Sequence, residues 1–385
     1  MRCEPPWRKG SKPTCHRDAA EKRAAHSNFT ERVETMNERE NLLRAVRFEG
    51  PELIPIGVGF SAACWHHYDP EALQDLMEAH PLLYPGFERS EEPPRPTPAA
   101  WRQAGKRFTD SWGCVWVTEQ EGLTGSVVDH ALEDWADFED FTPPDPDEHD
   151  GWVPIDWDAV RERFERAEEE DRLRRGGLRH GHTFLTLTYL RGYQNLLFDM
   201  ADGDPRLLRL IEMMEEFNAG LVERYIDLDV EWMGYPEDLG MQQGPMLTPD
   251  HFRRYIKPVY RRLMAPALEA GCVVHMHSDG DIRALVEDLL DCGVQALNLQ
   301  DLVNGIEWIR GNLKGRICID LDIDRQRIVP FGTPEQIDDL IRTAVSELGS
   351  PEGGLMMHHG VYPGVPLENI AALMDAMERY STWYA

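Results

Sequence analysis

Residues 271–299, GCVVHMHSDGDIRALVEDLLDCGVQALNL, decide the fold. The apolar run 271–277 is short and rich in β-formers, 281–291 has helical spacing, and 294–299 is a second apolar run. The stretch therefore predicts strand, loop, helix and strand, one unit of a parallel α/β sheet. Working outward, further strands are predicted at 182–189, 230–235, 316–321 and 354–358, and helices at 205–228, 249–270, 305–312, 334–348 and 367–380. Thr248-Pro249-Asp250 and Thr333-Pro334-Glu335 each place a capping hydroxyl before a proline suited to the first helical turn. Upstream, a helix over 38–47 is stopped at Gly50-Pro51 and leads into a strand at 53–60, and an eighth strand is expected near 112–117. Eight such strands close most simply as a TIM (β/α)8 barrel. A doubly wound open sheet is the alternative, weakened because no GxGxxG follows any strand.

The regular pattern starts after His180. Residues 81–180 read as an elaborated insertion: prolines cluster at 93–98, and 129–150 carry ten acids and no Lys or Arg, an exposed acidic lip. A charge-laced helix is predicted at 158–175 and reads as a solvated face. Residues 1–34 read as a polar, disordered tail without the apolar core of a secretory signal, and 35–385 as a single domain.

Across the whole chain of 385 residues, 69 acids against 40 bases leave a net charge of −29, which repels phosphate backbones and anionic headgroups and argues against nucleic-acid and membrane partners. No apolar run is long enough to span a bilayer. Seven scattered cysteines without a CxxC pair suggest neither a disulfide framework nor a zinc ribbon, and a cytoplasmic location is expected. The sequence leaves the oligomeric state open.

In a parallel barrel the working face is the carboxyl end of the strands, so the polar residues that end apolar strands matter most. Three such ends stand out: Glu237-Asp238, His275 with His277-Ser278-Asp279-Gly280, and His358-His359. Alternation puts His275 and His277 on one strand face, and Gly280 frees the chain to turn Asp279 back beside His277. Glu237, His277, Asp279 and His359 would make a two-nitrogen, two-oxygen set for a divalent metal. The alternative for each histidine is a hydrogen-bonding or substrate contact, for His275 in particular.

These motifs bring a family resemblance. Residues 38–380 resemble the uroporphyrinogen decarboxylase superfamily, which includes cobalamin-dependent methyltransferases, through Glu237-Asp238-Leu239-Gly240-Met241-Gln242, Thr248-Pro249-Asp250-His251-Phe252 with Lys257-Pro258, His277-Ser278-Asp279-Gly280-Asp281-Ile282, Gly332-Thr333-Pro334-Glu335 and Pro366-Leu367-Glu368-Asn369-Ile370. The resemblance implies a TIM barrel with its site at the strand carboxyl ends. Its decarboxylases grip substrate carboxylates with arginines in an Arg-Gln-Ala-Gly-Arg run after the first strand. Here Arg102-Gln103-Ala104-Gly105-Lys106-Arg107 lies about forty residues too late, and the first strand continues as Ser61-Ala62-Ala63-Cys64-Trp65-His66. Its methyltransferases carry zinc on His-x-Cys-Gly and a second cysteine. Here Asp279 and His359 stand at the cysteine positions, so the resemblance implies a harder, more Lewis-acidic metal site.

The reading that follows is metal-assisted methyl transfer from a small methylated substrate to a corrinoid, with a divalent metal, zinc first, on His277, Asp279, His359 and Glu237, and possible partnership with a corrinoid protein. Glu237 or Asp238 would handle the proton of the departing group, Tyr189 would orient substrate, and Trp65 and His66 would form a stacking lip. The second reading is cofactor-free decarboxylation of a tetrapyrrole with Arg102, Arg107 or Arg191 as clamp, and the third is tetrapyrrole binding without turnover.

Overall fold

The computed structural model describes residues 37–385 apart from Pro94. The expected tail lies outside the described residues. Seven parallel strands make the main sheet: β1 (Ile56–Phe60), β2 (Arg175–Gly177), β3 (Trp232–Pro236), β4 (Val273–Ser278), β5 (Ala296–Gln300), β6 (Cys318–Asp322) and β7 (Leu355–Val361). From β2 to β7 each strand pairs with its successor, and β1 pairs with β7 at the far edge. Residues from all seven strands line one interior cavity of about 690 Å³, so the sheet curls until both edges face the same space.

The eighth strand is a correction. The segment expected near 112–117 supplies Val115–Val117, the centre of a separate antiparallel sheet between Arg107–Thr109 and Ser126–Asp129. Among the described residues, β1 and β2 do not pair, and the curled sheet stays open there. Strand β2 falls inside the span read as insertion, because its short Arg-Gly-Gly sequence carries no apolar signal. The run 182–189, read as a strand, is instead the start of helix Phe184–Arg191. A short apolar run with threonines is ambiguous by periodicity, and a buried carboxylate described below decides it.

Several other elements form where expected, but the helix predicted over 281–291 shrinks to Val286–Leu290 and the one predicted over 158–175 ends at Glu169. Helices Glu38–Arg47 and Pro334–Leu348 form, the latter with a complete capping box between Thr333 and Gln336. The Thr248 hydroxyl accepts from the His251 N–H, but the helix predicted over 249–270 is interrupted by a π turn at Phe252–Ile256 before Lys257–Glu269. Pro258 sits in the first turn of that last segment and has no N–H for the regular ladder.

The outer face of the sheet is apolar, with Val274, Met276, Leu297, Leu299, Ile319 and Leu321 buried under the helices. The inner face is split along the strands. Near their amino ends Trp232, Val273, Ala296, Cys318 and Met356 pack with Leu43 and Val46 of helix Glu38–Arg47, an apolar floor. Further along the strands the inner residues are His275, His277, Asn298, Asp320 and His358, which line the interior cavity. The five described cysteines are buried and make no disulfide.

Candidate metal centre

Three strand ends bring one side chain each to a common point. Beyond β2 the chain reaches His180, where the next N–H, that of Gly181, donates to the Pro236 carbonyl at 2.9 Å. Beyond β3 the Glu237 N–H donates to the His277 carbonyl at 3.0 Å, which sets Asp238 beside β4. His180 Nε2 and His277 Nε2 then lie 3.3 and 3.5 Å from Asp238 Oδ1. Ligand atoms of the three all fall within 4.8 Å of one another. Gly280 makes the turn after β4 with φ near 80°, and a Cβ there would stand 2.2 Å from the Gly240 backbone. Only glycine fits this crossing of two loops. It also delivers the Asp279 N–H to Asp238 Oδ1 at 3.1 Å.

The hydrogen-bond network assigns the tautomer of His277. Asn298 donates its Nδ2 to the Asp320 carbonyl at 2.8 Å, so its Oδ1 is left to accept from His277 Nδ1 at 2.5 Å. With Nδ1 carrying a proton, Nε2 faces Asp238. A neutral imidazole so held presents Nε2 in the way a metal ligand requires, with its orienting partner in place. Without a metal, burial alone would lower the His277 pKa, but Asp238 and Asp279 outweigh it and lift it to about 9. Burial would raise the Asp238 carboxyl, yet hydrogen bonds and charge from His180 and His277 hold it well below the usual carboxylate range. A coupled acid and base pair at a strand mouth makes these residues a candidate functional site, although structural ion-pair networks shift pKa values in the same way.

Asp279 lies beside the cluster, 3.6 Å from His277 Nε2, but its Oδ1 is taken by Arg325 at 2.6 Å. His275 shares the inner face with His277 one layer deeper and pairs with Asp320 at 2.9 Å. Two expected ligands are corrections. His359 is 1% exposed and turned to the back of β7, where its Nδ1 donates to the Ile323 carbonyl at 3.0 Å. Alternation leaves His358 to face the interior. Glu237 is fully buried, and its carboxylate accepts from the Thr183, Phe184 and Leu185 N–H groups and the Tyr260 hydroxyl at 2.8–3.1 Å. A carboxylate with four donors at a helix N-terminus is a cap, and it is what turns 184–191 into a helix.

The remaining expected residues scatter. Tyr189 is helical, its ring edge-on to Trp116 at 4.6 Å and near the Arg179 guanidinium. Burial raises its phenol far above the usual range. Trp65 packs against Phe60, while exposed His66 contacts the Pro96 carbonyl at 3.0 Å through Nε2. Arg102 reaches Thr124 in the antiparallel layer, and Arg107 lies 3.9 Å from Asp129. Arg191 is buried against Asp199 at 2.9 Å and the Leu132 and Glu133 carbonyls. Sequence reasoning missed His180, Asn298 and Arg325. The available signal for His180 was the Arg175-Gly176-Gly177 segment just before it, too short to read as a strand.

Residues 113–380 match the profile of the uroporphyrinogen decarboxylase (URO-D) family. The chain belongs to this family. It is 25% identical to a uroporphyrinogen decarboxylase of Syntrophotalea carbinolica over 45% of this chain and 52% of that one. It is 31% identical to the methylcobamide:CoM methyltransferase MtaA of Methanosarcina barkeri over 35% of this chain and 38% of that one. The chain thus spans about half or less of the length of these relatives. Its fold is that of a methyltransferase from Methanosarcina mazei, with a TM-score of 0.60 at 18% identity, covering 91% of this chain and all of the other. The family therefore contains both decarboxylases and methyltransferases similar to this URO-D protein. No helix among the described residues is long and apolar enough to cross a membrane.

Proposed function

We propose that this URO-D protein is a methyltransferase that binds a divalent cation, zinc first, on His180, Asp238 and His277 and moves a methyl group from a small methylated substrate to a corrinoid, delivered by a partner protein. The observation that carries this reading is the convergence of two imidazole nitrogens and one carboxylate, with His277 held in the ligating tautomer by Asn298. Three ligands of this kind leave a position for substrate. A cation bound there supplies Lewis acidity to the heteroatom that gives up the methyl group. His277 and Asp238 are set in advance by Asn298 and the Asp279 N–H, so little reorganisation accompanies binding. With Glu237 committed as a cap and Asp238 in the ligand set, the heteroatom, which keeps the electron pair of the broken bond to methyl and has to gain a proton, would receive it through Asp279. Arg325 holds that carboxylate by Oδ1 and leaves Oδ2 to pass the proton from solvent.

Metal analysis of the purified protein tests the reading. One equivalent of metal is expected in the wild type and loss in His180→Ala, Asp238→Asn and His277→Ala. A wild type that stays metal-free after supplementation, or variants that keep full occupancy, would sink it. Decarboxylation of a tetrapyrrole, supported by the decarboxylase relative, needs free arginines, whereas Arg191 is closed by Asp199 and two carbonyls. Porphyrinogen turnover in a metal-stripped sample, abolished by Arg102→Ala, would favour it instead.

A further inference from the structure

We propose that the cavity between the carboxyl ends of β5 and β6 is a second cation site, for a hydrated hard divalent ion of the Mg2+ type, with Asp301 and Asp322 as its carboxylate ligands. Asp301 directly follows β5 and Asp322 closes β6, and both line a cavity of about 220 Å³ together with Gln242, Gln300 and Gln326. The two aspartates are 1% and 3% exposed. Each has one oxygen engaged: Asp301 Oδ1 accepts from the Leu302 N–H, and Asp322 Oδ2 pairs with Arg325 at 2.6 Å. The other oxygen of each, Asp301 Oδ2 and Asp322 Oδ1, has no hydrogen-bond partner among the described residues. Buried acceptors are rarely left unpaired, so two in one cavity point to something that supplies positive charge.

The lining selects what that is. No aromatic ring faces the cavity, which argues against a quaternary ammonium. The acceptors it offers are carboxylate and amide oxygens, hard donors unlike the imidazoles of the first site, with Arg325 and Arg327 also on its wall and Arg325 already paired to Asp322 Oδ2. Asp324, the third acid present, is fully engaged, since its carboxylate accepts from the N–H groups of Gln326, Arg327, Ile328 and Val329. Two carboxylates with the remaining positions filled by water is how proteins commonly hold Mg2+. A bound cation would give both unpaired carboxylate oxygens a partner. It would also act on the first site, because Arg325 bridges Asp322 and Asp279, which stands beside His277.

Manganese titration of the full chain, read by the free-Mn2+ electron paramagnetic resonance signal, tests this site separately from the first. Wild type and His277→Ala are each expected to take up one Mn2+ that Mg2+ displaces. Asp301→Asn and Asp322→Asn should bind it at least ten-fold more weakly while keeping the zinc content of the wild type. Mg2+ should raise the melting temperature of wild type but of neither aspartate variant, a readout that also shows whether the variants fold. Equal Mn2+ binding in wild type and both Asn variants overturns the proposal, as does loss of the ion in His277→Ala alone or no uptake by wild type at millimolar Mn2+.

Discussion

Strands β4 and β7 each carry two histidines, and their spacing separates them. His275 and His277 stand two apart and both face the interior of the curled sheet, whereas His358 and His359 are adjacent and face opposite sides. Burial lowers the pKa of both His277 and His359, and their neighbours then drive the two apart. His277 is next to two carboxylates and is pushed up to about 9. His359 has a carbonyl for a partner and is pushed down to about 4, mainly by burial. The adjacent pair Glu237-Asp238 divides in the same way, one carboxylate closing a helix and the other reaching the histidines. Residue type therefore nominates a ligand, and strand phase decides whether it can serve.

The sharpest break of this comparison is His277→Ala against His359→Ala. The first should lower metal affinity by at least roughly 100-fold. The second should keep full metal content but lose about 2–4 kcal/mol of stability through a cavity and an unpaired carbonyl. Metal content and denaturant unfolding of both variants check this. Glu237→Ala should cost ~3 kcal/mol, because three N–H groups and the Tyr260 hydroxyl lose their acceptor. Its far-ultraviolet circular dichroism should show loss of helix, while an unchanged midpoint would remove the capping role.

The two histidines should also give opposite pH responses in metal-stripped protein. A folded pKa of about 4 for His359 lies below the unfolded value near 6.5, so the unfolded chain binds the proton first. Stability is therefore lost as pH falls from about 6.5 to 4, by up to about 3 kcal/mol, and His359→Asn should flatten that slope. The raised pKa of His277 contributes stability that is present below about 6.5 and lost as pH rises through 9, and Asp238→Asn should remove it. The smallest effect belongs to Arg102→Ala, within about 0.5 kcal/mol of wild type with metal content unchanged. A large loss of activity in that variant would instead mark Arg102 as part of an anion clamp.

Much of the regular half was legible because its signals are local. Capping hydroxyls before prolines mark helix starts, apolar runs mark β3 to β7, and the His277–Gly280 turn carries its own glycine. The family motifs lie in that half as well. Legibility failed where a distant group overrode the local pattern. Helix Phe184–Arg191 reads as a strand until the Glu237 carboxylate, more than fifty residues away, collects its first N–H groups. Strand β2 is three residues long and two of them are glycine, so only pairing with β3 makes it a strand. His180 was missed with it.

From the sequence alone came the parallel α/β architecture, the family and the strand ends where chemistry gathers, because periodicity, caps and motifs are written in neighbouring residues. Only the tertiary structure decided that seven strands pair among the described residues, that His180 and Asp238 join His277, and that His359 and Glu237 serve the scaffold. Those outcomes depend on which way each strand faces and on which buried donor finds which acceptor across the chain, and no window of sequence contains that information.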